Sequence, residues 1–383
     1  MNPNNHIEQL IHDLCPSGVP YKTLGEVCAI LDSMRKPVSK ELRSKGKYPY
    51  YGANGILDYV NDYIFDGTYL LVGEDGSVIK KDKSPVLQWA TGKFWVNNHA
   101  HVLVEIKREA KLRYLYYILS TADVSGIVRG TPPKINQQNL KQIQIPLPPL
   151  PIQEEIVRIL DTFTELITNI DTEIQKQQCE LDLCRKQIFH QLNCKYEQLS
   201  SIFDMRGGYT PSTKNSEYWT DNTGYSWYTM DDIRKNGRKL GNSMRHITEK
   251  AIKSKGLFPQ GTIVFATSAT IGEHAILMKP ALTNQRFTAI IPKKDDVYMM
   301  FYYHYAFIID EWCLQHIKRG GFNSVDMDGF AKLPIPLPPL SEQRAIAEKL
   351  DTFEKLITNL KAERDLRQQQ YEYYREKLIN LLK

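Results

Sequence analysis

Arginine, lysine and short polar side chains gather in loop-like stretches of this chain that also contain glycine and aromatic residues. Five such stretches occupy residues 32–47, 129–134, 206–214, 231–245 and 316–322. Guanidinium and ammonium groups pair with phosphates, arginine and lysine also reach guanine edges, and amide side chains match the edge of adenine. The chemistry that these stretches could carry is non-covalent recognition of a polyanion, although each stretch alone is also typical of a solvated surface turn.

Motifs that would indicate catalysis are missing from the sequence. There is no Walker loop, no GxGxxG, no GxSxG and no Asn/Asp-Pro-Pro-aromatic tetrapeptide of amino-methyltransferases. The six cysteines form no CxxC pair, which favours free thiols over a zinc site. GEDG at 73–76 is more typical of a tight hairpin turn than of a calcium loop, and His99 and His101, predicted on one strand face, lack a third ligand nearby. We therefore predict no catalytic residue and no metal.

Length and composition bound the class of protein. With 383 residues and 42% hydrophobic residues, the chain is long enough for two or more folded domains. The N-terminus is polar and shows no signal peptide. The longest apolar run, 299–309, is too short to span a bilayer and contains His304. We expect a cytoplasmic protein with no membrane partner.

An internal duplication is visible at an offset of 190 residues. IPLPPL occurs at 145–150 and again at 335–340, and 16 of 26 positions are identical between 145–170 and 335–360. The same offset places Arg129 on Arg319. A repeat of this length predicts two copies of one structural unit.

The segments that precede the two copies follow one plan. Each begins with a similar tetrapeptide, at 21–24 and 196–199, and continues with a strand-like run, at 68–73 and 261–267. Then comes an amide pair followed by a second predicted strand, in VNNHAHVLVE and LTNQRFTAII, and then a helical segment. A common scaffold with different loops is expected of two domains that perform the same task on different targets.

Each proline phrase forces an extended backbone, so that a helix can begin only after it. The apolar residues of the first helix then recur at steps of four and three, with an interruption at Gln177. Its predicted seam is Ile156, Leu160, Phe163, Ile167, Ile170, Ile174, Leu181, Cys184 and Ile188, and that of the second helix is Ile346, Leu350, Phe353, Ile357, Leu360, Tyr371, Tyr374 and Leu378. Two helices of about 42 residues, each roughly 60 Å long, should pair antiparallel as a coiled coil.

The charge is concentrated in the two globular segments. Residues 1–150 and 194–340 each carry a net charge of +4, whereas 151–193 carries −4 and 341–383 carries +1. Positive charge on the domains rather than on the helices favours a nucleic-acid partner. A non-DNA scaffold, with two protein-binding domains on a coiled-coil stalk, is the alternative, and a stand-alone methyltransferase would need a cofactor motif that we do not find.

The chain resembles the specificity subunits of type I restriction–modification enzymes over essentially its whole length. LPIPLPPLSEQRAIAEKLDTF at 333–353 is similar to the conserved region of that family, and IQIPLPPLPIQEEIVRILDTF at 143–163 is a second copy. YYGANG at 50–55 and FWVNNHAHVL at 94–103 resemble one kind of target-recognition domain, and RGGYTPS at 206–212 resembles another.

This resemblance implies an α+β fold with a pseudo-two-fold internal duplication. Two similar target-recognition domains are expected at 1–145 and 194–335, separated by two long antiparallel helices at 146–193 and 336–383 that form a coiled-coil spacer. Each domain is expected to read one half of a bipartite double-stranded DNA site. Two modification (methyltransferase) subunits are expected to dock on the helices, and restriction subunits complete the complex. S-adenosylmethionine, ATP and Mg would act in those partners, with no cofactor in this chain.

Loop cations and polar groups are the predicted DNA contacts. The residues from the first domain are Arg35, Lys36, Lys80, Lys93, Arg129 and Lys134, and those from the second are Tyr209, Thr210, Lys214, Arg234, Lys235, Arg238, Arg286 and Arg319. The sequence does not indicate which bases are recognised or how many base pairs separate the two halves.

Overall fold

The computed structural model of the chain describes residues 3–106, 109–221, 223–318 and 323–383. The chain divides into two compact units, one formed by Met1–Asp171 with Ala362–Lys383 and the other by Thr172–Lys361. Each unit combines a β-sheet domain with parts of two long helices. No helix among the described residues has both the length and the apolar character needed to cross a membrane.

The first unit is built around a six-stranded sheet. In chain order its elements are α1 (Pro3–Leu14), β1 (Tyr21–Thr23), α2 (Leu24–Val27), β2 (Cys28–Ile30), β3 (Lys45–Gly52), β4 (Gly55–Val60), β5 (Phe65–Gly73), β6 (Leu87–Val96), β7 (Ala100–Glu105), α3 (Leu112–Leu119), α4 (Gln137–Lys141), β8 (Gln144–Pro146) and the long helix α5 (Leu150–Gln191), which continues into the second unit. The strand order is β2-β7-β5-β6-β3-β4. Only the β3–β6 pair is parallel.

Strands β5 and β6 bend together at a pair of glycines. Gly67 and Gly92 lie opposite each other in the ladder, and both have positive φ, 138° and 75°. On β6, the Gln88 side chain donates to the carbonyl of Gly52 (2.9 Å), while Val96 also pairs with the end of β3. Because both ends of β6 reach the same part of β3, the strand must fold back between them, and glycine permits the required conformation.

The second unit distributes shorter strands over several sheets. Its elements are β9 (Tyr196–Gln198), α6 (Leu199–Ile202), β10 (Phe203–Gly207), β11 (Trp219–Thr220), β12 (Tyr225–Tyr228), α7 (Met230–Asn236), β13 (Lys239–Leu240), β14 (His246–Ile247), β15 (Ile263–Ala266), β16 (His274–Leu277), β17 (Ala281–Thr283), β18 (Phe287–Pro292), α8 (Met299–Gln315), β19 (Ile317–Lys318), β20 (Ser324–Val325), α9 (Met327–Lys332), β21 (Pro334–Pro336) and the long helix α10 (Leu340–Asn380), which ends in the first unit. The two larger sheets have the orders β10-β18-β15-β16-β13 and β11-β14-β12-β17.

Each unit is closed by the strand that contains the start of its proline phrase. Strand β8 pairs antiparallel with β1, and β21 pairs in the same way with β9. A buried tyrosine secures each closure: the Tyr114 hydroxyl donates to the carbonyl of Pro146 (2.6 Å) and that of Tyr302 to Pro336 (2.9 Å). The proline phrase therefore ends a domain and begins a long helix at the same point in both copies.

Within the first unit, the beginning of α5 packs against the end of α10. The Phe163 and Tyr374 rings stack at 5.3 Å between centroids, and Arg364 forms an ion pair with Asp171 at 3.2 Å. Residue numbers rise along α5 as they fall along α10, so the helices are antiparallel. Apolar residues of both helices belong to the same hydrophobic core as α3 and the sheet.

Within the second unit, the end of α5 contacts both α10 and α8. Arg185 of α5 donates to Glu354 of α10 at 2.5 Å, and its side chain is only 4% exposed. Phe189 packs edge-on against Phe301 and Tyr305 of α8. The α+β fold class, the internal duplication and the antiparallel helix pair predicted from the sequence are therefore confirmed.

Candidate nucleic-acid interface

Two turns of the same design join strands in the two domains. Residues 97–99 connect β6 to β7, and residues 284–286 connect β17 to β18. In each turn the asparagine Oδ1 accepts a hydrogen bond from the backbone N–H two residues later, from His99 to Asn97 at 2.8 Å and from Arg286 to Asn284 at 3.0 Å. This side-chain bond is the usual device by which asparagine fixes a tight turn.

The 97–99 turn is held to the rest of its domain by backbone bonds on both sides. The N–H of Asn97 donates to Tyr51 (3.1 Å), and the carbonyl of His99 accepts from Glu74 (2.8 Å). Glu74 in turn accepts at its carbonyl from Ile135 (2.8 Å). These bonds bring the loop after β5 and the loop before α4 against the turn.

The 284–286 turn has the same three connections. Asn284 donates to Tyr228 (3.1 Å), Arg286 accepts from Thr267 (3.0 Å), and Thr267 accepts from Val325 (2.9 Å). Equivalent loops therefore converge on the turn in both domains, although their side chains differ.

The side chains at the tips of the two turns point to solvent. Asn97 is 3% exposed, whereas Asn98 and His99 are exposed, as are Gln285 and Arg286. Each tip thus offers one carboxamide followed by one basic side chain, although Nδ1 of His99 is already hydrogen-bonded to Asp75 at 2.5 Å. Such a pair can hydrogen-bond to a base edge and to a neighbouring phosphate.

Beneath the 97–99 turn lies a buried cluster of charged groups. Arg35 donates to Glu74 at 2.5 Å with both side chains 11% exposed, and Lys134 reaches the other oxygen of Glu74 at 2.9 Å. Although burial works in the opposite direction, the hydrogen bonds from Arg35 and Lys134 hold the pKa of the Glu74 carboxyl below its usual value. The GEDG segment is therefore not the tight hairpin turn expected from the sequence, because ion pairs draw Glu74 into the domain and the loop runs on to β6.

His101, the second residue of β7, completes this cluster. Its Nδ1 faces a carboxylate oxygen of Asp32 at 2.6 Å, and its Nε2 donates to the carbonyl of Ile135 at 2.8 Å. Burial alone would raise the pKa of the Asp32 carboxyl. The hydrogen bond and the electrostatic interaction with His101 outweigh burial, so that this pKa lies below its usual value. His99 does not share a strand face with His101, because β7 begins only at Ala100.

Among the described residues, two groups of side chains have the composition of metal sites. They are Asp32, Glu74 and His101 in the first unit and His304, Asp351 and Glu354 in the second. Cations of the protein already neutralise the carboxylates of both groups: Arg35 and Lys134 in the first unit, and Lys239, at 2.8 Å from Asp351 and 2.9 Å from Glu354, in the second. This pairing favours a structural role for both clusters, and the absence of a metal stays a prediction.

Three of the cations predicted in the first domain lie in loops beside the turn. Lys36 is exposed, and its backbone bonds to Val96 and to the Trp95 indole, next to the start of the turn. Arg129 and Lys134 are exposed at the base of one small loop, where they exchange two backbone hydrogen bonds. Arg35 is brought to the same place but is largely buried.

Two further predicted cations of the first domain have different surroundings. Lys80 is exposed in the loop between β5 and β6. Lys93 lies over the ring of Tyr63, 4.5 Å from its centroid, and Tyr63 packs on Tyr48. The exposed Lys93 and two partly buried tyrosines thus form a separate cluster.

In the second domain, Tyr209, Thr210 and Arg286 lie at the turn. Tyr209 donates its N–H to Thr283, and the Thr210 hydroxyl donates to Gln285 Oε1 at 2.6 Å. The exposed Lys214 follows in the same loop.

The remaining predicted cations of the second domain are distributed around α7. Arg234 and Lys235 are exposed on that helix. Arg238 pairs with Asp310 at 3.0 Å, which gives it a carboxylate partner inside the domain. Arg319 lies outside the described residues. No observation tests the fourteen predicted contacts, which remain predictions.

Sequence reasoning missed the carboxamides at the tips, Asn98 and Gln285. The sequence signal for these two residues was the amide pair before a strand in each half. We used that pair as evidence for the internal repeat but did not predict that it contacts DNA. Its meaning depends on exposure: the first amide of each pair is used inside the turn, whereas the second faces solvent.

Comparison with known proteins identifies the family. The model of the type I restriction modification DNA specificity domain matches residues 16–177 and 193–366. A putative type I restriction enzyme specificity subunit of Haemophilus influenzae is 33% identical over 393 residues, covering 99% of each chain. A type I restriction enzyme specificity subunit of Escherichia coli is 29% identical over 414 residues, covering 100% of this chain and 98% of the relative.

The fold is similar to that of a solved relative. The crystal structure of a type I restriction–modification S subunit from M. genitalium matches with a TM-score of 0.61 at 16% identity, covering 95% of this chain and 96% of the other. The two family matches also fall one on each half of the internal duplication. The chain therefore belongs to the family of type I restriction–modification specificity subunits.

Proposed function

We propose that this chain selects the DNA target of a type I restriction–modification complex. Each globular domain binds one half of a split double-stranded sequence. The helices α5 and α10 set the number of unread base pairs between the halves, and they also carry the partner subunits.

The observation that carries this proposal is one polar turn repeated in two domains of equal charge. The 97–99 and 284–286 turns share their hydrogen bonds, and each domain segment has a net charge of +4. Cations supply sequence-independent attraction to phosphates, and polar tips supply discrimination between bases. Two copies of one recognition surface suit a site with two separate halves.

The chemistry of the complex is assigned to other subunits. Two modification subunits bind the paired helices and transfer methyl groups from S-adenosylmethionine, and restriction subunits use ATP and Mg. This chain contributes recognition and positioning without a catalytic group or a cofactor of its own, and it acts in the cytoplasm, where the DNA is.

Long-read mapping of DNA methylation tests the proposal directly. The host genome is sequenced with the gene, without it, and after it is restored on a plasmid. We expect one bipartite methylated motif, two short blocks with a fixed gap, to disappear with the gene and return with the plasmid. Methylation that is the same in all three strains would overturn the proposal.

Duplex binding by the purified chain together with its modification subunits separates the proposal from the scaffold alternative. Binding to a duplex that contains the motif should weaken as salt rises, because each neutralised phosphate contributes a slope of about −0.9 in a plot of log K against log salt. A scaffold with two protein-binding domains would show no salt-dependent duplex binding.

A further inference from the structure

We propose that Asn98 and Gln285 are specificity-determining residues, each of which reads an A·T base pair in its own half of the DNA site. This inference rests on the proposed function and adds to it the side chains and the base that they select. It follows from the position of the two residues, their exposure and the groups around them.

Asn98 and Gln285 occupy the same position in equivalent turns. Each follows an asparagine whose side chain is used to fix the turn, at 2.8 Å in one domain and 3.0 Å in the other. Each precedes a basic residue, His99 or Arg286. The duplicated scaffold therefore presents a carboxamide at one equivalent point of both domains.

The main chain at Asn98 and two residues after it is held by a largely buried guanidinium. Arg35 donates to the carbonyl of Asn98 at 3.3 Å and to that of Ala100 at 2.8 Å. Among the described residues, none exchanges a hydrogen bond with the Asn98 carboxamide itself. A fixed backbone with an exposed, unpaired amide is organised in advance for an external partner, which reduces the entropy cost of binding.

In the second domain the carboxamide is also oriented, but by a neighbouring hydroxyl. Thr210 donates to Gln285 Oε1 at 2.6 Å, so that the oxygen of the amide is placed on the Thr210 side and the NH₂ group faces away from it. A carbonyl oxygen has two lone pairs, and Oε1 can still accept a second hydrogen bond. Gln285 thus keeps both a donor and an acceptor for a ligand.

The chemistry of a carboxamide matches adenine in particular. Its oxygen accepts from N6 and its NH₂ group donates to N7 in the major groove, a pairing that no other base offers in the same arrangement. A neutral amide gains little from a phosphate, for which Lys134 and Arg286 are better suited. We therefore assign the amide at each tip to a base edge, and the neighbouring cations to the phosphates of the DNA backbone.

The test uses the full chain in the host that lacks the gene, with genomic DNA as the probe. Asn98→Ala and Gln285→Ala are compared with the wild-type chain by long-read methylation mapping. Asn61→Ala and Gln260→Ala serve as matched controls, since both replace exposed amides elsewhere in the same domains. The amount of soluble chain is measured in every strain.

Asn98→Ala should relax one A·T position in one half of the motif, and Gln285→Ala one A·T position in the other half. The preference for the original base pair should fall roughly 5- to 150-fold, the range for a bidentate amide–adenine pair. Asn98→Asp, of the same shape but without the NH₂ donors, should also lose the adenine preference. The controls should keep the wild-type motif.

Several results would overturn the inference. An unchanged motif in both alanine variants would do so, and so would weaker methylation at every site with no change in the motif, since that is the behaviour of a phosphate contact. If Asn98→Ala lowers the amount of chain, the result for Asn98→Asp decides. A wild-type chain that specifies no bipartite motif would instead refute the proposed function, so that the two failures are distinguishable.

Discussion

Gln153 and Gln343 lie 190 positions apart and form the same three hydrogen bonds at the start of the two long helices. Gln153 Oε1 accepts from the N–H of Lys111 (2.9 Å), and its Nε2 donates to the carbonyls of Glu109 and Pro148 (2.8 Å each). Each glutamine is completely buried. One side chain therefore ties the helix to its own domain and to the proline phrase that precedes it.

The second glutamine repeats the arrangement in the other unit. Gln343 Oε1 accepts from Tyr298 (2.7 Å), and Nε2 donates to Asp296 (2.8 Å) and Pro338 (2.9 Å). Because Gln153 and Gln343 are among the identical positions of the repeat, the junction between domain and helix is the best-preserved part of the duplication.

Replacing either glutamine by alanine should destabilise the unit that contains it. Each change removes three hydrogen bonds to the backbone, of which the bond to the proline carbonyl is buried and the other two are partly buried. A buried polar group that loses its hydrogen bond costs about 1–3 kcal/mol. Urea unfolding of the full chain, followed by hydrogen exchange of each unit, measures the loss. Gln369→Ala, an exposed position on α10, is the control and should change the free energy of unfolding by less than about 0.5 kcal/mol. Equal effects of the buried and exposed changes would contradict this role.

Arg35→Ala should act mainly on stability. Its guanidinium is 11% exposed and neutralises Glu74, so its removal leaves a buried carboxylate with Lys134 at 2.9 Å and the His101 ring at 3.7 Å as partners. Breaking a buried ion pair in this way costs about 3–5 kcal/mol. The free energy of unfolding of Arg35→Ala, Glu74→Gln and the double variant gives the coupling between the two side chains.

Lys134→Ala is the matched control for the buried pair, because the Lys134 side chain is 48% exposed. Its loss should cost no more than about 1 kcal/mol. If Arg35→Ala were as stable as the wild type but bound DNA less well, Arg35 would be a direct DNA contact, as its sequence context indicates.

The sequence predicted the scaffold because the signals for it are local or repeated. Proline phrases, strand-like runs and apolar periodicity each indicate an element without knowledge of the fold. The helix seam was predicted less well beyond Gln177: Leu181, Cys184 and Ile188 were expected, whereas Leu181, Arg185 and Phe189 are buried. In the second unit Arg185 contacts Glu354 and Phe189 contacts α8. These contacts place the buried residues of α5 four positions apart, at 181, 185 and 189.

The candidate site was predicted only in part, because pairing between distant residues is invisible in a loop sequence. The sequence around Arg35 and around Arg238 is typical of loops that contact DNA. In the structure, however, each arginine pairs with a carboxylate that is 39 or 72 residues away in the chain. To predict the exposed carboxamides at the tips, in contrast, one needs to know only which amide of each pair forms the hydrogen bond inside the turn. Three-dimensional structure supplies that knowledge and the sequence does not.

Stability of the second unit should fall on mild acidification because of His274. Complete burial lowers the pKa of its imidazole, although the hydrogen bond to Asp310 (2.7 Å) works in the other direction. The unfolded chain then binds a proton more readily than the folded one, so stability is complete above the unfolded pKa of about 6.5 and is lost as the pH falls below it.

Urea unfolding at pH 8 and pH 5.5 checks this dependence. His274→Gln removes the titrating group, and its free energy of unfolding should change less between the two pH values than that of the wild type. The comparison at pH 8 controls for the packing cost of the substitution. Parallel losses in the two proteins would show that His274 does not contribute.

Lengthening the paired helices should lengthen the gap in the DNA site. Four residues are inserted in α5 between Thr164 and Thr168, and four in the facing part of α10 between Arg367 and Gln370. These positions lie between the contacts Phe163–Tyr374 and Asp171–Arg364, which are then both kept. Four residues add about 6 Å to a helix, roughly two base pairs of DNA.

Methylation mapping of the double insertion should give the two original half-sites with a gap longer by about two base pairs. The matched control carries the insertion in α5 alone, which moves Phe163 and Asp171 apart without moving their partners and should destabilise the helix pair. Since neither insertion touches the turns, the bases of both halves should stay the same. An altered half-site in the double insertion would mean that the helices contribute to base recognition and do not act as a spacer.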